Sequence, residues 1–368
     1  MEVLFLFGLV IGLMLIGAPI AVSLGFSSIM FLLLFSDSSL SSVAQTLFEA
    51  FEGHSTLLAI PFFILASSFM STGGVAQRII RFSIALVGHF RGGLAIAGVL
   101  ACMIFAALSG SSPATVVAIG SIVIAAMRQS GYTKEFAAGV IANAGTLGIL
   151  IPPSIVMVVY AAAVEVSVGR MFLAGVIPGL LAGTMLMVGI YVMARIKDMP
   201  AGEFKGFGEI RESFKDAAWG LMLIVIIMIG IYGVPGLTGA IFTPTEAAAV
   251  ASVYAFLVAT FVYRDMGPLS EGGSLLRNPQ VLITALWHKD TVRTLRDAGK
   301  LIITLMFIIA NALILKHVIT DEQIPQQLTA TMLAYGFGPI MFLVIVNVIL
   351  LIGGQFMEPS GLLVIVAP

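Results

Sequence analysis

The 368-residue chain is 59% apolar and only 10% charged, with a formal net charge of −1 and a mean hydropathy of +1.10. This composition leaves too little polar surface to cover a soluble globule, so we expect an all-α polytopic membrane protein. The single cysteine, Cys102, excludes a disulfide framework and a thiolate metal site. No basic run with interleaved aromatics is present, which argues against nucleic acid as a partner.

Stretches without charged residues predict where the chain crosses the bilayer, since one helical crossing takes about 20 residues. The N-terminal stretch begins with Met1-Glu2, lacks a positive region and is too long for a cleavable signal, so we expect it to be the first span. The spans predicted in the first half-chain lie at about 3–17, 19–35, 54–73, 134–165 and 170–195.

The distribution of Lys and Arg predicts which loops face the cytoplasm. Segment 36–53 contains neither residue, whereas 74–92 contains three arginines, so we expect the first loop outside and the second inside. Segments 196–216 and 264–300 are rich in Lys and Arg and are expected to be cytoplasmic as well. Following the spans back along the chain places the N-terminus on the outer side.

An uncharged stretch in the first half is too long for one span. As a single helix, residues 92–127 would be about 54 Å long, against a hydrocarbon core of about 30 Å, so we expect a re-entrant hairpin at 93–128. Its turn has the sequence Ser109-Gly110-Ser111-Ser112-Pro113, and Thr115 adds a hydroxyl. Half-helix ends there would offer carbonyls to a cation and N–H groups to an anion. Two short spans joined by a tight turn, or a small-residue packing contact, are the alternatives.

A second interruption lies in the predicted span 134–165. It runs from Asn143 to Ser154 and includes the tandem prolines Pro152 and Pro153. Prolines free main-chain carbonyls at membrane depth, and such oxygen ligands suit Na⁺, a hard cation. The alternative is a kinked but inert helix.

The second half-chain repeats the pattern of the first in the opposite orientation. The polar linker 196–216 separates a first repeat, 1–195, from a second, 217–368. Broken helices at corresponding points of two inverted halves mark the ion and solute site of many secondary carriers. In this comparison span 54–73 corresponds to 301–318, and hairpin 93–128 corresponds to 339–368.

The spans that open the two repeats share a local motif. Gly17 to Gly25 corresponds to Phe242 to Val250, and each contains a proline near the predicted helix start. In the second copy, Thr243, Pro244 and Glu246 have the spacing of a capping box with proline at the first helical position.

The second predicted hairpin turns at Gly353-Gly354-Gln355-Phe356-Met357-Glu358-Pro359-Ser360. Glu358 is its one carboxylate, and a buried acid in a membrane is a functional candidate. It would either contribute to the site or cap the returning arm that begins at Pro359. The first repeat continues for 82 residues after Pro113 but the second for only nine after Pro359, so we expect roughly 60–80 further residues in the intact protein.

Two amphipathic stretches are expected to lie along the membrane surface rather than across it. Residues 39–52 and 281–297 place apolar side chains at helical spacing, and the second contains Trp287 with several basic residues. An ordinary solvated connecting helix is the alternative for both. Asn311 and Asn347 are lone amides in apolar spans and are expected to bridge helices.

Several of these motifs together resemble the large membrane (M) subunit of tripartite ATP-independent periplasmic (TRAP) transporters. They are the stretch from His54 to Leu65, the turn from Ser109 to Thr115, the interruption from Gly145 to Ser154, Ile177 to Leu181, and Phe242 to Ala249. The resemblance covers the whole chain, although the usual C-terminal portion of that family is absent.

The resemblance implies an ion-transporter-type elevator fold and a Na⁺-driven importer of organic acids in the bacterial inner membrane. C4-dicarboxylates, other carboxylates or sialic acid are the solutes that it implies. It also implies two partners, a periplasmic solute-binding protein and a small four-helix membrane subunit, with no cofactor beyond the coupling ion. No membrane-embedded arginine matching the one that some members use for a carboxylate is evident.

Matching the family's motifs assigns site residues in both hairpins and in the interrupted span. The predicted solute-binding residues are Ser111, Ser112, Pro113, Thr115, Glu358, Pro359 and Ser360. The predicted Na⁺-binding residues are Ser109, Gly110, Ser112, Asn143, Gly145, Thr146, Gly148, Pro152, Gly353, Gly354 and Gln355.

Three other functions are possible from the residues alone. A stand-alone Na⁺- or H⁺-coupled anion carrier would share the same breaks. An intramembrane enzyme would need a nucleophile with a base, or clustered metal ligands, which the chain lacks. A channel would also use irregular chain at membrane depth.

Overall fold

The computed structural model describes residues 2–35, 41, 44–45, 48, 55–72, 74–234, 236–270, 280–355 and 358–367. Apart from an isolated bridge between Arg91 and Ala201, helices are the only regular structure in these ranges. They are α1 Glu2–Leu15, α2 Ile20–Phe35, α3 Ala59–Thr72, α4 Val75–Val87, α5 Gly93–Ser109, α6 Ser112–Gln129, α7 Lys134–Gly145, α8 Leu147–Leu150, α9 Ile155–Ala163, α10 Val168–Ile196, α11 Gly206–Tyr232, α12 Pro244–Leu257, α13 Val281–Trp287, α14 Lys289–Asp321, α15 Ile324–Ala334, α16 Pro339–Gly353 and α17 Pro359–Val366.

The helices confirm the prediction of an all-α polytopic membrane protein. Within the described ranges, five helical stretches are long and apolar enough to cross a bilayer, and two bent pairs bring the total to as many as seven. The five are Ser112–Gln129, Val168–Ile196, Gly206–Tyr232, Pro244–Val262 and Lys289–Asp321. The bent pair Lys134–Leu150 and Ile155–Ala163 turns by 44° where the interruption was predicted.

The chain groups into two compact units, and each contains parts of both half-chains. One unit comprises Met1–Leu57, Val159–Glu165 and Ile303–Pro368, and the other comprises Leu58–Val158 and Val166–Ile302. The first unit therefore contains the second hairpin, while the second contains hairpin one and most of the interrupted helix. The inverted repeat itself stays a prediction.

The amphipathic segments differ from the prediction in their boundaries. The expected helix 281–297 is divided, because α13 ends at Trp287 and His288 takes an extended conformation. From Lys289 one continuous helix, α14, runs to Asp321, since no proline follows to stop it before the apolar span. Most of segment 39–52 lies outside the described residues.

The predicted capping box at the start of α12 is present. The Glu246 amide donates to Thr243 Oγ1 at 3.3 Å, and the Thr243 amide donates to Glu246 Oε2 at 2.8 Å. Pro244 occupies the first turn, where its missing N–H leaves no helical bond unmade. These local contacts fix the point at which α12 begins.

Asn311 contacts a second helix as predicted. Asn347, which was also expected to bridge helices, forms its hydrogen bond within its own helix. A Cβ built on Gly25 of α2 would lie 1.9 Å from Asn311 Oδ1, and Asn311 Nδ2 donates to the Phe307 carbonyl of α14 at 2.8 Å. Asn347 is exposed and donates to the Leu343 carbonyl.

Charged residues from the segments predicted to be cytoplasmic contact one another in the second unit. Arg81 of α4 pairs with Glu209 at 2.8 Å and with Asp216 at 2.5 Å, both on α11. Arg78 pairs with Asp265 at 2.5 Å. Because ion pairs join segments 74–92, 196–216 and 264–300, these three segments share one side, in agreement with the charge distribution.

This shared side predicts the result of a labelling experiment. In a C102A background, we expect a cysteine replacing Lys205 to react with a membrane-impermeant maleimide only in inverted vesicles. A cysteine replacing the exposed Leu237, beyond the opposite end of α11, should react only in right-side-out vesicles. Labelling of both positions in the same vesicles would contradict the assigned topology.

Two tyrosines of the α12 region bond to the main chain of α11. Tyr263 follows a π-helical turn at Val258–Val262 and donates its hydroxyl to the Asp216 carbonyl at 2.7 Å. The same hydroxyl accepts from the Gly220 amide at 3.0 Å, so it joins two groups that pair directly in a regular helix. Tyr254 donates to the Trp219 carbonyl at 2.8 Å.

Replacing Tyr263 by Phe should destabilise the protein because the hydroxyl satisfies both main-chain groups at once. We expect a loss of about 0.5–1.5 kcal/mol in the free energy of unfolding, measured by thermal denaturation in detergent. The matched control is Y254F, whose hydroxyl only supplements a carbonyl within a helix, and its effect should be smaller. Equal effects of the two variants would contradict the bridging role.

Candidate functional site

Hairpin one doubles back at the predicted turn. Helix α5 ends at Ser109, and Gly110 takes a left-handed conformation with φ +60°, its amide donating to the Ala106 carbonyl at 2.8 Å. Helix α6 begins at Ser112 with Pro113 in its first turn. The arms pack closely, since a Cβ on Gly98 would lie 2.9 Å from Val123 Cγ1.

The burial of α5 favours a hairpin enclosed by protein. Each arm is about 26 Å long, close to the hydrocarbon thickness, so length is compatible with either a re-entrant pair or two short spans. Almost every residue of α5 is buried, whereas a span facing lipid leaves an apolar face exposed. Irregular chain at its end is therefore shielded from hydrocarbon, as main-chain polar groups require.

The hydroxyls at the tip divide into two kinds. Ser109 Oγ lies 2.9 Å from Thr115 Oγ1, which donates to the Ser111 carbonyl at 2.8 Å. Ser109 and Thr115 are almost completely buried, so these two side chains brace the turn. Ser112 Oγ is also buried but has no hydrogen-bond partner within the described ranges. It is the tip hydroxyl best placed to serve a ligand.

The predicted interruption is present in the next helix. Helix α7 ends at Gly145 and α8 ends at Leu150, residues 151–154 are non-helical, and α9 begins at Ile155. Because Pro152 and Pro153 lack N–H groups, the carbonyls of Gly148 and Ile149 lose their helical donors. This stretch therefore presents main-chain oxygens that the helix no longer uses.

The structure brings the two interruptions into direct main-chain contact. The Ile155 amide donates to the Gly110 carbonyl at 3.2 Å. A Cβ on Gly148 would lie 2.9 Å from both the Ser111 carbonyl carbon and the Ser112 nitrogen. Gly145 is equally close to hairpin one, since its Cβ would lie 2.1 Å from Val116 Cγ2. Helix approach at this distance is possible only without side chains at these glycines.

Three of the predicted residues point away from this contact. Asn143 is exposed and donates to the Gly139 carbonyl of its own helix at 2.8 Å. Thr146 is exposed and donates to the Asn143 carbonyl at 2.7 Å. Pro113 is exposed at the start of α6. Their assignment to the Na⁺ and solute sites stays a prediction that the geometry of the tip does not strengthen.

Sequence reasoning included Pro153 in the interruption but not its contact with the hairpin tip, where the Pro153 carbonyl oxygen lies 2.9 Å from the position of a Gly110 Cβ. It also missed Ser154, which is fully buried and accepts from the Met157 amide at 3.5 Å. The tandem prolines indicate that carbonyls are freed, but the direction of each carbonyl depends on backbone angles that the residue types leave open.

The second predicted hairpin lies in the other compact unit, where α16 ends at Gly353 and α17 begins at Pro359. A Cβ on Gly353 would lie 2.8 Å from Leu362 Cδ1, so the start of α17 contacts the end of α16. That this hairpin doubles back stays a prediction. Gly354 and Gln355 are exposed, while Phe356 and Met357 lie outside the described residues. Ser360 is buried, and a Cβ on its neighbour Gly361 would lie 3.5 Å from Ile308 Cγ2 of α14.

Glu358 occupies the N-cap position of α17 without acting as a side-chain cap. Its backbone is extended, with φ −65° and ψ 142°, and its carboxylate accepts no capping hydrogen bond. Of the two predicted roles, the capping of the returning arm at Pro359 is thus not found. The carboxylate is partly buried beside the start of α17.

The donor set where hairpin one meets the broken helix consists of neutral oxygens. Within the part of the chain that the structure describes, His, Cys, Asp and Glu side chains form no group of three that could hold a metal ion. Main-chain carbonyls and hydroxyls are hard ligands, which suit an alkali cation better than a transition metal.

Comparison with known families agrees with this architecture. Residues 7–368 match the model of the tripartite ATP-independent periplasmic transporter, DctM component. The chain belongs to this family. It is therefore a permease subunit of a TRAP transporter rather than an enzyme, and its helices place it in the membrane as a multi-pass protein.

Relatives in the TRAP family differ in the solutes that their names give. The chain is 69% identical over 368 residues to the C4-dicarboxylate TRAP transporter large permease protein DctM of Vibrio cholerae, covering 100% of this chain and 80% of the relative. It is 44% identical to the protein of the same name from Rhodobacter capsulatus, with 100% and 81% covered. It is 33% identical to the sialic acid TRAP transporter large permease protein SiaM of Vibrio cholerae, with 97% and 78% covered.

The contact between the interruptions can be tested at Gly148. We expect G148A to reduce solute uptake by about 10-fold or more, because its Cβ would displace the main chain of the hairpin tip. The matched control is G139A on α7, where a Cβ meets nothing within 4 Å, and its uptake should equal that of wild type. Uptake in proteoliposomes provides the measurement, and normal transport by G148A would contradict a shared site.

Proposed function

We propose that this chain is the large permease of a sodium-coupled, binding-protein-dependent importer of C4-dicarboxylates. The observation that carries the proposal is the 69% identity, across the whole chain, to a permease named for C4-dicarboxylates. The relative named for sialic acid is less than half as similar, at 33%. We assign the solute class from the more similar of these two relatives, because the residues that contact a solute diverge when the solute changes.

Sodium coupling is supported by the chemistry of the two interruptions. Gly148 and Ile149 carry carbonyls without helical donors, and Ser112 Oγ is buried without a partner among the described residues. Such neutral oxygens bind a cation of single charge without the desolvation penalty that buried carboxylates would add. The site also lies where hairpin one meets the broken helix, so ion binding would order both.

A dicarboxylate brings two negative charges to a tip that contains no Lys or Arg. Its charge would be offset by bound Na⁺ and by helix N-termini, which carry a partial positive charge and free amides. Helix α6 begins at Ser112 without a side-chain cap, and α17 begins after Glu358 in the same way. We assign solute binding to the start of α6, beside the buried Ser112 hydroxyl. In its own unit, the start of α17 has the same character, with Ser360 buried in its first turn.

Two further proteins complete the proposed transporter. The family name describes three components, and we infer a small four-helix membrane subunit and a periplasmic solute-binding protein. Helix α10 exposes a long apolar face, with Ile177 75% and Met185 66% accessible. Such a face is covered either by lipid or by a membrane partner.

In the proposed elevator movement, hairpin one and the broken helix travel together, consistent with their main-chain contact.

Reconstitution tests the proposal. The permease, its small membrane subunit and the binding protein are placed in proteoliposomes, and uptake of labelled succinate is followed with an inward Na⁺ gradient or with K⁺ in its place. We expect accumulation only with Na⁺ and only when the binding protein is present. Uptake without the binding protein would favour a stand-alone carrier, and uptake indifferent to Na⁺ but abolished by a protonophore would replace sodium coupling by proton coupling.

A further inference from the structure

Helix α10 also approaches the interrupted helix closely. A Cβ on Gly175 would lie 2.7 Å from the Leu150 carbonyl oxygen, and a Cβ on Gly179 would lie 3.3 Å from the same atom. The Gly179 Cβ would also lie 2.8 Å from Ile151 Cγ1. Both glycines are buried. The main chain of α10 therefore packs directly on the last residue of α8 and the first of the non-helical segment.

The interruption is therefore contacted at two nearby points. Gly148 touches the main chain of Ser111 and Ser112 at the hairpin tip. Leu150, two residues later, touches the main chain of α10. The carbonyls of Gly148 and Ile149, which the prolines free, lie in the short stretch between the two contacts. Their direction therefore depends on how closely α10 packs on Leu150.

Other glycines of α10 lack this relation to the interruption. A Cβ on Gly183 would meet only the flexible end of Met103, whose Sδ lies 2.4 Å away, and a Cβ on Gly189 would meet nothing within 4 Å. Four of the five glycines of α10 thus have graded surroundings: two lie against the main chain of the break, one lies against a movable side chain and one lies in open space.

We propose that Gly175 and Gly179 are positioning residues for sodium coupling, which they support by fixing Leu150 and, through it, the freed carbonyls beside the buried Ser112 hydroxyl. The inference rests on the proposed function, because it concerns the affinity for the coupling ion. Neither glycine touches the ion. Each acts by allowing α10 to lie within main-chain distance of the break, since a Cβ would clash with the Leu150 carbonyl at Gly175 and crowd it at Gly179.

The test uses four alanine variants, G175A, G179A, G183A and G189A, each reconstituted in the complete complex. Uptake is measured as a function of Na⁺ concentration, together with the maximal rate and the thermal midpoint. We expect G175A and G179A to raise the Na⁺ concentration for half-maximal uptake by about 10-fold or more. G183A and G189A should leave it unchanged.

The sodium dependence separates positioning from simple packing. A packing role would lower the thermal midpoint or the maximal rate and leave half-saturation unchanged, and that result would overturn the inference. If wild type depends on Na⁺ but all four variants share its half-saturation, the inference fails while the proposed function stands. If wild-type uptake is indifferent to Na⁺, the proposed sodium coupling is wrong, and the inference that rests on it is wrong as well.

A second variant separates the two neighbours of Gly175. Its Cβ would also lie 2.1 Å from Met157 Cε, a flexible side-chain end that M157A removes. We expect G175A combined with M157A to keep the raised half-saturation, because the Leu150 carbonyl stays in the way. Recovery of wild-type half-saturation in the double variant would show that only the Met157 side chain matters, and would overturn the role of Leu150.

Discussion

The structure depends on one constraint, which is that main-chain polar groups interrupted inside a membrane must find partners within the protein. Hairpin one and the broken helix meet this requirement together, because the Ile155 amide bonds to the Gly110 carbonyl. Glycines at 110, 145 and 148 make the approach possible, and Ser109 and Thr115 satisfy the rest of the turn internally. Among the described residues, the Ser112 hydroxyl has no partner in the protein, and it is the group at the tip that we propose for a transported ion or solute.

Much of the fold could be predicted from residue types whose effect is local. Apolar runs predicted the long apolar helices, and proline and glycine predicted the turn of hairpin one and the break in the next helix. Thr243 with Glu246 predicted the start of α12. The divided segment at His288 was missed, because an amphipathic pattern continues smoothly into the apolar span that follows. A local signal of this kind identifies an element better than it identifies where that element ends.

The candidate site was predicted less completely, since it depends on which groups face each other. Serine and threonine hydroxyls look alike in a sequence, yet Thr115 is used by the turn whereas Ser112 is free of protein partners in the described ranges. Asn143 is a predicted Na⁺ ligand, but it is exposed and donates to the Gly139 carbonyl of its own helix. Tertiary packing decides which side chains face the site. The sequence of a helix does not show which of its polar residues point toward a neighbouring helix and which point outward.

The ion pair between Arg78 and Asp265 joins residues 187 positions apart, which has a consequence for biogenesis. At a synthesis rate of about 5–20 residues per second, roughly 10–40 seconds separate the emergence of the two residues from the ribosome. Arg78 is therefore synthesised well before its partner, and several helices are made in between. The contact that links α4 to the chain after α12 can form only late, once Asp265 has been made.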